Sequence, residues 1–193
     1  MVKFRLAAQL SYLVERPMRI AWAVFLSLLP CPLCAQSSPS AKAVAPACGP
    51  ADAKFDVKTD KRQHPIAQPS EGKALVYFIE DDSLYDSLFK PTTRAGLDGA
   101  WTGATHGNSY FSFFVEPGTH HLCASWQSAV TTTGGDQTAA AHFTVQAGDV
   151  LYYRVRNIWL KQLVNTIELQ PVDSDEAQLL MSKFRSSTSR PRT

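Results

Sequence analysis

Gly72-Lys73-Ala74-Leu75-Val76-Tyr77-Phe78-Ile79-Glu80-Asp81-Asp82 is the stretch of sequence on which the fold prediction depends. Its apolar residues follow one another without polar interruption and are bounded by a glycine on one side and three acidic residues on the other. A short continuous apolar run between such boundaries is typical of a strand that is buried on both faces. We therefore predict that residues 73–79 form the central strand of a sheet and that this strand ends at the acidic residues.

Two β-hairpins are predicted downstream of this strand. Residues 110–115 and 120–126 flank Glu116-Pro117-Gly118-Thr119, in which the proline fixes φ and the glycine allows the positive φ of a type II turn. Residues 141–145 and 150–156 flank a second, glycine-containing turn. Side chains alternate between the two faces of a strand, so one face of each hairpin is assigned to the core. The core-facing residues are Phe111, Phe113, Val115, Leu122, Ala124, Trp126, Phe143, Val145, Leu151, Tyr153 and Val155.

The C-terminal part of the chain is predicted to contain one helix. Asp173 can cap it, with Glu176 reaching back from the third helical position, and apolar residues then recur at helical spacing. These apolar residues are Ala177, Leu180, Met181 and Phe184. Short strands separated by turns, with one terminal helix, predict a mainly β fold: an antiparallel β-sandwich or open barrel with a C-terminal helix. We place this domain at residues 51–185 and expect residues 186–193 to form a disordered tail.

Residues 1–35 have the pattern of a cleavable signal peptide. An apolar stretch, residues 20–29, follows two arginines, and Ala35 places a small residue before the predicted cleavage site. A membrane-spanning helix needs about 20 apolar residues, so no permanent transmembrane segment is expected after cleavage. Met18 is an alternative start that keeps Arg19, the apolar stretch and the cleavage site. We therefore expect the chain to be exported, to the periplasm, the cell surface or the medium.

The four cysteines fall into two groups. Cys31 and Cys34 have thioredoxin-like spacing, but they lie at the end of the signal's apolar core, where no strand or helix would lower a thiolate pKa. Lipid attachment to either is a further alternative. Cys48 and Cys123 are the only cysteines left after cleavage, and an oxidising compartment would join them in a disulfide. That bond would pin the predicted flexible lead-in, residues 36–50, across the outer face of the first hairpin.

The charge balance argues against a nucleic-acid partner. The chain has 19 basic and 17 acidic residues, but four of the basic and one of the acidic residues precede the cleavage site, so 15 basic and 16 acidic residues remain. A nearly neutral protein has no electrostatic footprint for a polyphosphate backbone. An envelope protein or a glycan is the expected partner.

Four aromatic residues could contact such a partner: Trp101, Tyr110, Tyr152 and Trp159. Core packing explains most such residues. Trp101 is expected to fill the core, within a glycine-rich hairpin or bulged strand at residues 97–108.

Four short motifs resemble a bacterial family called domain of unknown function 2846, whose members are mostly exported. The motifs are Gly72-Lys73-Ala74-Leu75-Val76-Tyr77, Leu97-Asp98-Gly99, Glu116-Pro117-Gly118-Thr119-His120-His121 and Ala147-Gly148-Asp149-Val150-Leu151-Tyr152-Tyr153. They cover roughly residues 70–170 and correspond to strands and turns. The resemblance implies a small β-sandwich and no established activity, and it supplies no functional residues.

Five histidines raise the alternative of a metal-dependent enzyme. They are His64, His106, His120, His121 and His142. Because adjacent residues of a strand point to opposite faces, His120 and His121 are not expected to serve one ion. A metal site would require the fold to bring His106 and His142 together with a carboxylate. We expect no metal or other cofactor.

A small hydrolase is the second enzymatic alternative. Ser109, His106 and Asp98 could act as nucleophile, base and orienting acid. No Gly-x-Ser-x-Gly elbow, metalloprotease helix or phosphate loop accompanies them. The sequence therefore predicts an exported, non-catalytic β-sandwich with a binding or structural role in the cell envelope, and an enzyme that uses His106 and its neighbours is the competing interpretation.

Overall fold

The computed structural model describes residues 47–86, 88–127, 137–160 and 164–193. The predicted signal peptide, with Cys31 and Cys34, lies outside the described residues, and so do residues 36–46 of the predicted lead-in. The described elements are β1 (Phe55–Asp60), β2 (Ala74–Tyr85), β3 (Thr92–Leu97), β4 (Ala100–His106), β5 (Ser109–Val115), β6 (Gly118–Trp126), β7 (Thr138–Val145), β8 (Val150–Leu160), β9 (Val164–Val172), α1 (Ser174–Lys183) and β10 (Arg185–Pro191).

The strands form two sheets, and the fold is mainly β: a sandwich with one short helix near the C-terminus. Sheet A has the order β1-β10-β5-β2-β8-β9, and sheet B has the order β4-β3-β6-β7. Most pairs are antiparallel, but β2 pairs with β8 in parallel and β10 begins in parallel with β5. Among the described residues no helix is long and apolar enough to cross a membrane.

β2 is the central strand that the apolar run predicts, and it lies between β5 and β8. The predicted end of this strand at Glu80 is wrong, because β2 continues to Tyr85. Glu80, Asp81 and Asp82 are buried within it. The acidic residues therefore extend the strand into the interior and do not mark a solvent-exposed boundary.

The two predicted hairpins have the correct core faces and the wrong pairing. β5 and β6 lie in different sheets, as do β7 and β8. The residues assigned to the core nevertheless pack between the sheets. Every second residue of a strand faces the core, whether its neighbour in the chain pairs with it in one sheet or faces it from the other sheet. Alternation alone could not distinguish the two arrangements.

The predicted helix forms with Asp173 as its cap, but the Glu176 carboxylate pairs with Arg154 of β8 rather than reaching back to the cap. The Asp173 carboxylate accepts a hydrogen bond from the backbone N–H of Glu176 at 2.8 Å, which satisfies one of the free amides at the helix start. The apolar stripe, including Ala177 and Met181, packs on Leu75 and the other outward residues of β2. This second layer of apolar contacts buries the outer face of sheet A, which is why β2 is apolar on both faces.

The expected disordered tail is instead strand β10. It pairs antiparallel with β1 from Asp60↔Ser186 to Phe55↔Pro191, and the Ser187 hydroxyl donates to the Tyr110 carbonyl at 3.1 Å. The segment is polar because one of its faces is largely exposed, and its backbone hydrogen bonds rather than apolar side chains fix it in the sheet. The polar composition of residues 186–193 therefore does not indicate disorder, because a strand held by backbone hydrogen bonds can be polar.

Candidate functional site

Two carboxylates lie inside the sandwich, at the end of β2. Glu80 has no exposed surface and Asp82 is 3% exposed. Asn157 of β8 donates from Nδ2 to Glu80 Oε1 and to Asp82 Oδ1, each at 2.7 Å. The Thr93 hydroxyl of β3 also donates to Glu80 Oε1 at 2.7 Å. The indole N–H of Trp126 donates to Asn157 Oδ1 at 2.7 Å, so β2, β3, β6 and β8 meet in one buried polar network.

The environment of this network favours protonated carboxyl groups. Burial raises the pKa of Glu80 well above its usual range, and the neighbouring Asp82 carboxylate raises it further. Burial also raises the pKa of Asp82 to about 6, against the opposing effects of the Asn157 hydrogen bond and the Lys90 charge. Glu80 Oε2 and Asp82 Oδ2 have no hydrogen-bond partner among the described residues. The pair can therefore hold and release protons, but its burial keeps it from touching a substrate.

A second carboxylate site lies on the surface, at the β3–β4 turn. Asp98 adopts φ 50° and Gly99 adopts φ 86°, which are the positive values that a tight hairpin turn requires. Asp98 Oδ2 lies 2.6 Å from His120 Nδ1, and Asp98 Oδ1 accepts the backbone N–H of His121 at 2.8 Å. The other ring nitrogen of His120 lies 2.8 Å from the Glu116 carbonyl oxygen. Both nitrogens of His120 thus face acceptors, and the imidazolium form satisfies both.

The pKa shifts at the turn follow from this geometry. Partial burial opposes ionisation of Asp98, but the hydrogen bonds from His120 and His121 and the charge of His120 outweigh it and lower the pKa of Asp98. Burial likewise disfavours the charged form of His120, but the bonds to Asp98 and Glu116 outweigh it and raise the pKa of His120. This turn is a surface ion pair with a defined orientation.

The histidines do not assemble as an enzyme would require. His120 and His121 both lie close to Asp98, on different oxygens, and the prediction that they do not serve one metal ion stays a prediction. His142 pairs across the ladder with His121, not with His106. His64 Nδ1 contacts the Met181 carbonyl oxygen at 3.1 Å. Among the described residues no group of three or more His, Cys, Asp or Glu side chains is placed to hold a metal ion.

The proposed hydrolase trio is divided between the two ends of β3. His106 pairs with Thr92 at the start of β3, and the Ser109 hydroxyl is within 3.3 Å of the His106 backbone N and O atoms. Asp98 follows the other end of β3, about 20 Å away at roughly 3.3 Å per residue. His106 Nδ1 instead contacts the Pro91 carbonyl oxygen at 3.1 Å. Ser109 and His106 are therefore neighbours, but Asp98 does not orient the histidine.

The four aromatic candidates have different surroundings. Tyr110 is buried beneath α1, and Trp159 packs edge-on against Tyr85 with ring centroids 5.5 Å apart. Trp101 does not fill the core as expected, because it lies on the outer face of sheet B and donates from Nε1 to the Pro50 carbonyl at 2.8 Å. Tyr152 lines a pocket of about 240 Å³ between residues 150–153 and 171–174.

The predicted disulfide is confirmed. Cys48 and Cys123 are bonded, with their Cα atoms 5.2 Å apart. The residues around Cys48 form a packed layer on sheet B: the Arg94 guanidinium donates to the Ala51 and Ala53 carbonyls at 2.9 and 2.7 Å. A Cβ atom at Gly96 would lie 2.9 Å from the Ala47 carbonyl oxygen, so this close approach requires glycine. Residues 47–50 are therefore fixed and are not part of a flexible lead-in.

Sequence reasoning missed Glu80, Asp82 and Asn157, although a usable signal was present. Glu80 and Asp82 continue the two-residue spacing of the inward-facing Ala74, Val76 and Phe78. Asn157 likewise continues the inward spacing of Leu151, Tyr153 and Val155. Extending the alternation past the last apolar residue of each strand would have placed all three inside the sandwich. No protein-family model matches this chain, and no curated protein matches it.

Proposed function

We propose that this chain is exported and that its β-sandwich works without catalysis, as a binding or structural module of the cell envelope. The observation that carries the proposal is the Cys48–Cys123 disulfide, because such bonds form and persist mainly in oxidising compartments outside the cytoplasm. The signal-peptide features of residues 1–35 also support a location outside the cytoplasm. So does the resemblance to the exported family called domain of unknown function 2846.

Two features support a non-catalytic role. The candidate nucleophile and base, Ser109 and His106, lie at the opposite end of β3 from Asp98. The carboxylates with raised pKa values, Glu80 and Asp82, are enclosed by strands and cannot contact a substrate without rearrangement of the sandwich. The carboxylates with raised pKa values are therefore out of reach, and the exposed His106 and Asp98 are too far apart to act together.

Exposed apolar side chains support a binding role. Leu88 is 95% exposed and Phe89 is 78% exposed, and Leu84 nearby is 41% exposed. Neighbouring exposed apolar side chains on a globular domain are characteristic of surfaces that contact another protein. We therefore propose an envelope protein as the partner, in preference to a glycan bound beside Tyr152.

Export is tested by expressing the full chain in a bacterium with an oxidising periplasm. We expect a periplasmic product that begins close to Gln36, and non-reducing peptide mapping should link Cys48 to Cys123. The matched control is Leu26→Arg, which breaks the apolar core of the signal and should leave a cytoplasmic chain with both thiols alkylatable. A wild-type product that retains residues 20–29 and carries free thiols would refute the proposed export.

The binding role is tested by crosslinking the exported protein in its envelope. Leu88→Asp should abolish the crosslinked species, whereas Leu179→Asp, at an apolar residue of α1 that is 56% exposed, should retain it. Crosslinking that is equally efficient with Leu88→Asp would exclude this surface. A hydrolytic turnover that His106→Ala abolishes without loss of stability would instead favour the enzymatic interpretation.

A further inference from the structure

The segment between β2 and β3 is attached to the sandwich beside the buried carboxylates. The Lys90 ammonium donates to the backbone carbonyl of Asp82 at 3.4 Å and to that of Tyr85. It also lies 5.2 Å from the centre of the Tyr85 ring. Leu88 and Phe89, which are largely exposed, directly precede Lys90. One ammonium group therefore links the exposed apolar side chains to the end of β2.

The buried pair has too few hydrogen-bond donors for two negative charges. Asn157 supplies one amide group to both carboxyl groups and reaches one oxygen of each, and the Thr93 hydroxyl donates to the same Glu80 oxygen. The second oxygen of each carboxyl group has no hydrogen-bond partner among the described residues. Two buried carboxylates this close together do not both ionise readily, because each disfavours the charge of the other. One carboxyl group of the pair therefore stays protonated, and the other gains or loses its proton as the pH changes.

Lys90 responds to the second proton. When Asp82 is ionised, its charge attracts the Lys90 ammonium in surroundings that water screens poorly. When Asp82 is neutral, the ammonium keeps only its contacts with backbone carbonyls and with the Tyr85 ring. We propose that the Glu80–Asp82 pair is a proton-responsive latch, which holds Leu88 and Phe89 in place through Lys90 when Asp82 is ionised and loosens them when Asp82 is protonated.

Other charged and titratable groups lie on the elements next to the latch. They are Asp81 and Tyr85 on β2, Asp86 and Lys90 in the following segment, Arg156 on β8 and His106 on β4. Arg156 Nε lies 3.8 Å from Asp81 Oδ2, so its charge is directed to Asp81. Burial raises the pKa of Tyr85 to about 12, so Tyr85 stays neutral. His106 is the competing sensor, because it contacts the Pro91 carbonyl next to Lys90.

The test is nitrogen-15 relaxation of the disulfide-bonded protein between pH 4.5 and 7.5. We expect the heteronuclear NOEs of the Leu88, Phe89 and Lys90 amides to fall as the pH drops, with a midpoint near pH 6, where Asp82 becomes protonated. In Asp82→Asn the NOEs should be low and independent of pH. The asparagine oxygen can still accept the Asn157 hydrogen bond, so the fold should be retained.

Two further variants make the test decisive. His106→Asn should leave the midpoint unchanged, and Lys90→Met should give low NOEs at every pH, even if Asp82→Asn fails to fold. The proposal is overturned if the wild-type NOEs do not change with pH. It is also overturned if the transition survives in Asp82→Asn or Lys90→Met, or if His106→Asn alone abolishes it. None of these outcomes depends on export, so the proposed function is tested separately.

Discussion

The buried pair at Glu80 and Asp82 and the surface carboxylate at Asp98 are made of the same chemical group and respond oppositely to their surroundings. Burial raises the pKa values of the buried groups, and the hydrogen bond from the neutral Asn157 amide opposes this only in part. Asp98 is partly exposed and faces an imidazolium and a backbone N–H, and its pKa is lowered. The difference shows that burial and the charge of the donors, and not the acidic residue itself, decide which protonation state the fold stabilises.

The largest effect is expected from removing the amide that serves the buried pair. Asn157→Leu keeps a similar volume, but it leaves Asp82 Oδ1 without its donor and the Trp126 indole without its acceptor, and Glu80 keeps only the bond from the Thr93 hydroxyl. Each stranded buried polar group costs about 1–3 kcal/mol, so we expect unfolding free energy to fall by about 3–5 kcal/mol. Urea denaturation measures this loss.

Thr144→Val is the matched control for that experiment. Its hydroxyl lies 2.9 Å from Thr119 Oγ1 on the exposed outer face of sheet B. The change should alter stability by less than about 0.5 kcal/mol. If Asn157→Leu had an effect this small, the polar network would not be a structural link between the sheets.

The next effect is a pH dependence that Asp82 imposes on stability. Its pKa rises from 3.8 in the unfolded chain to about 6 in the fold. The folded state therefore binds more protons in this interval, so the stabilisation is fully present below pH 3.8 and is lost as the pH rises through about 6. Asp82→Asn should raise the unfolding free energy at pH 7 by about 2–3 kcal/mol and have little effect at pH 4.

Urea denaturation of wild type and Asp82→Asn at pH 4, 5.5 and 7 measures this difference. Glu80→Gln serves as the comparison, because Glu80 is already neutral and its replacement should leave the Asp82 transition in place. An Asp82→Asn protein that is less stable than wild type at pH 7 would show that the carboxylate is stabilised, not strained, by its surroundings.

The smallest effect on unfolding free energy is expected from Asp98→Asn, which should destabilise the fold where Asp82→Asn stabilises it. Because its pKa is lowered, its stabilisation is present above pH 3.8 and is lost as the pH falls through the folded pKa. The pKa of His120 is raised, so its stabilisation is present below pH 6.5 and is lost as the pH rises through the folded value. Asp98→Asn should therefore lower the unfolding free energy most between pH 3.8 and 6.5. The loss should be less than about 1 kcal/mol, because the pair is partly exposed.

Asp98→Ala separates the charge from the turn. Asparagine tolerates the positive φ of this position, whereas alanine does not, so the alanine variant should lose more stability at every pH. Thermal denaturation at pH 3, 5 and 8 compares the two. Equal losses in both variants would mean that the backbone conformation contributes nothing.

The features that the sequence predicted are those that local patterns determine. The Asp173 cap, the helix stripe, the central strand and the Cys48–Cys123 pair each depend on a few neighbouring residues or on a count of cysteines. The division of β5 and β6 between two sheets depends on long-range packing, which period-two alternation does not encode. The buried carboxylates were missed because acidic residues were interpreted as solvent-exposed before their spacing was followed.

Strand β10 has a consequence for the order in which the protein folds. It lies between β1 and β5, so the earliest described strand can join sheet A only after Arg185–Pro191 has been synthesised. Pairing between such distant segments is slow, because a long loop must close before the contact forms. A chain that completes its larger sheet last keeps β1 unpaired until the end of synthesis, and an unpaired strand edge is open to pairing with other chains.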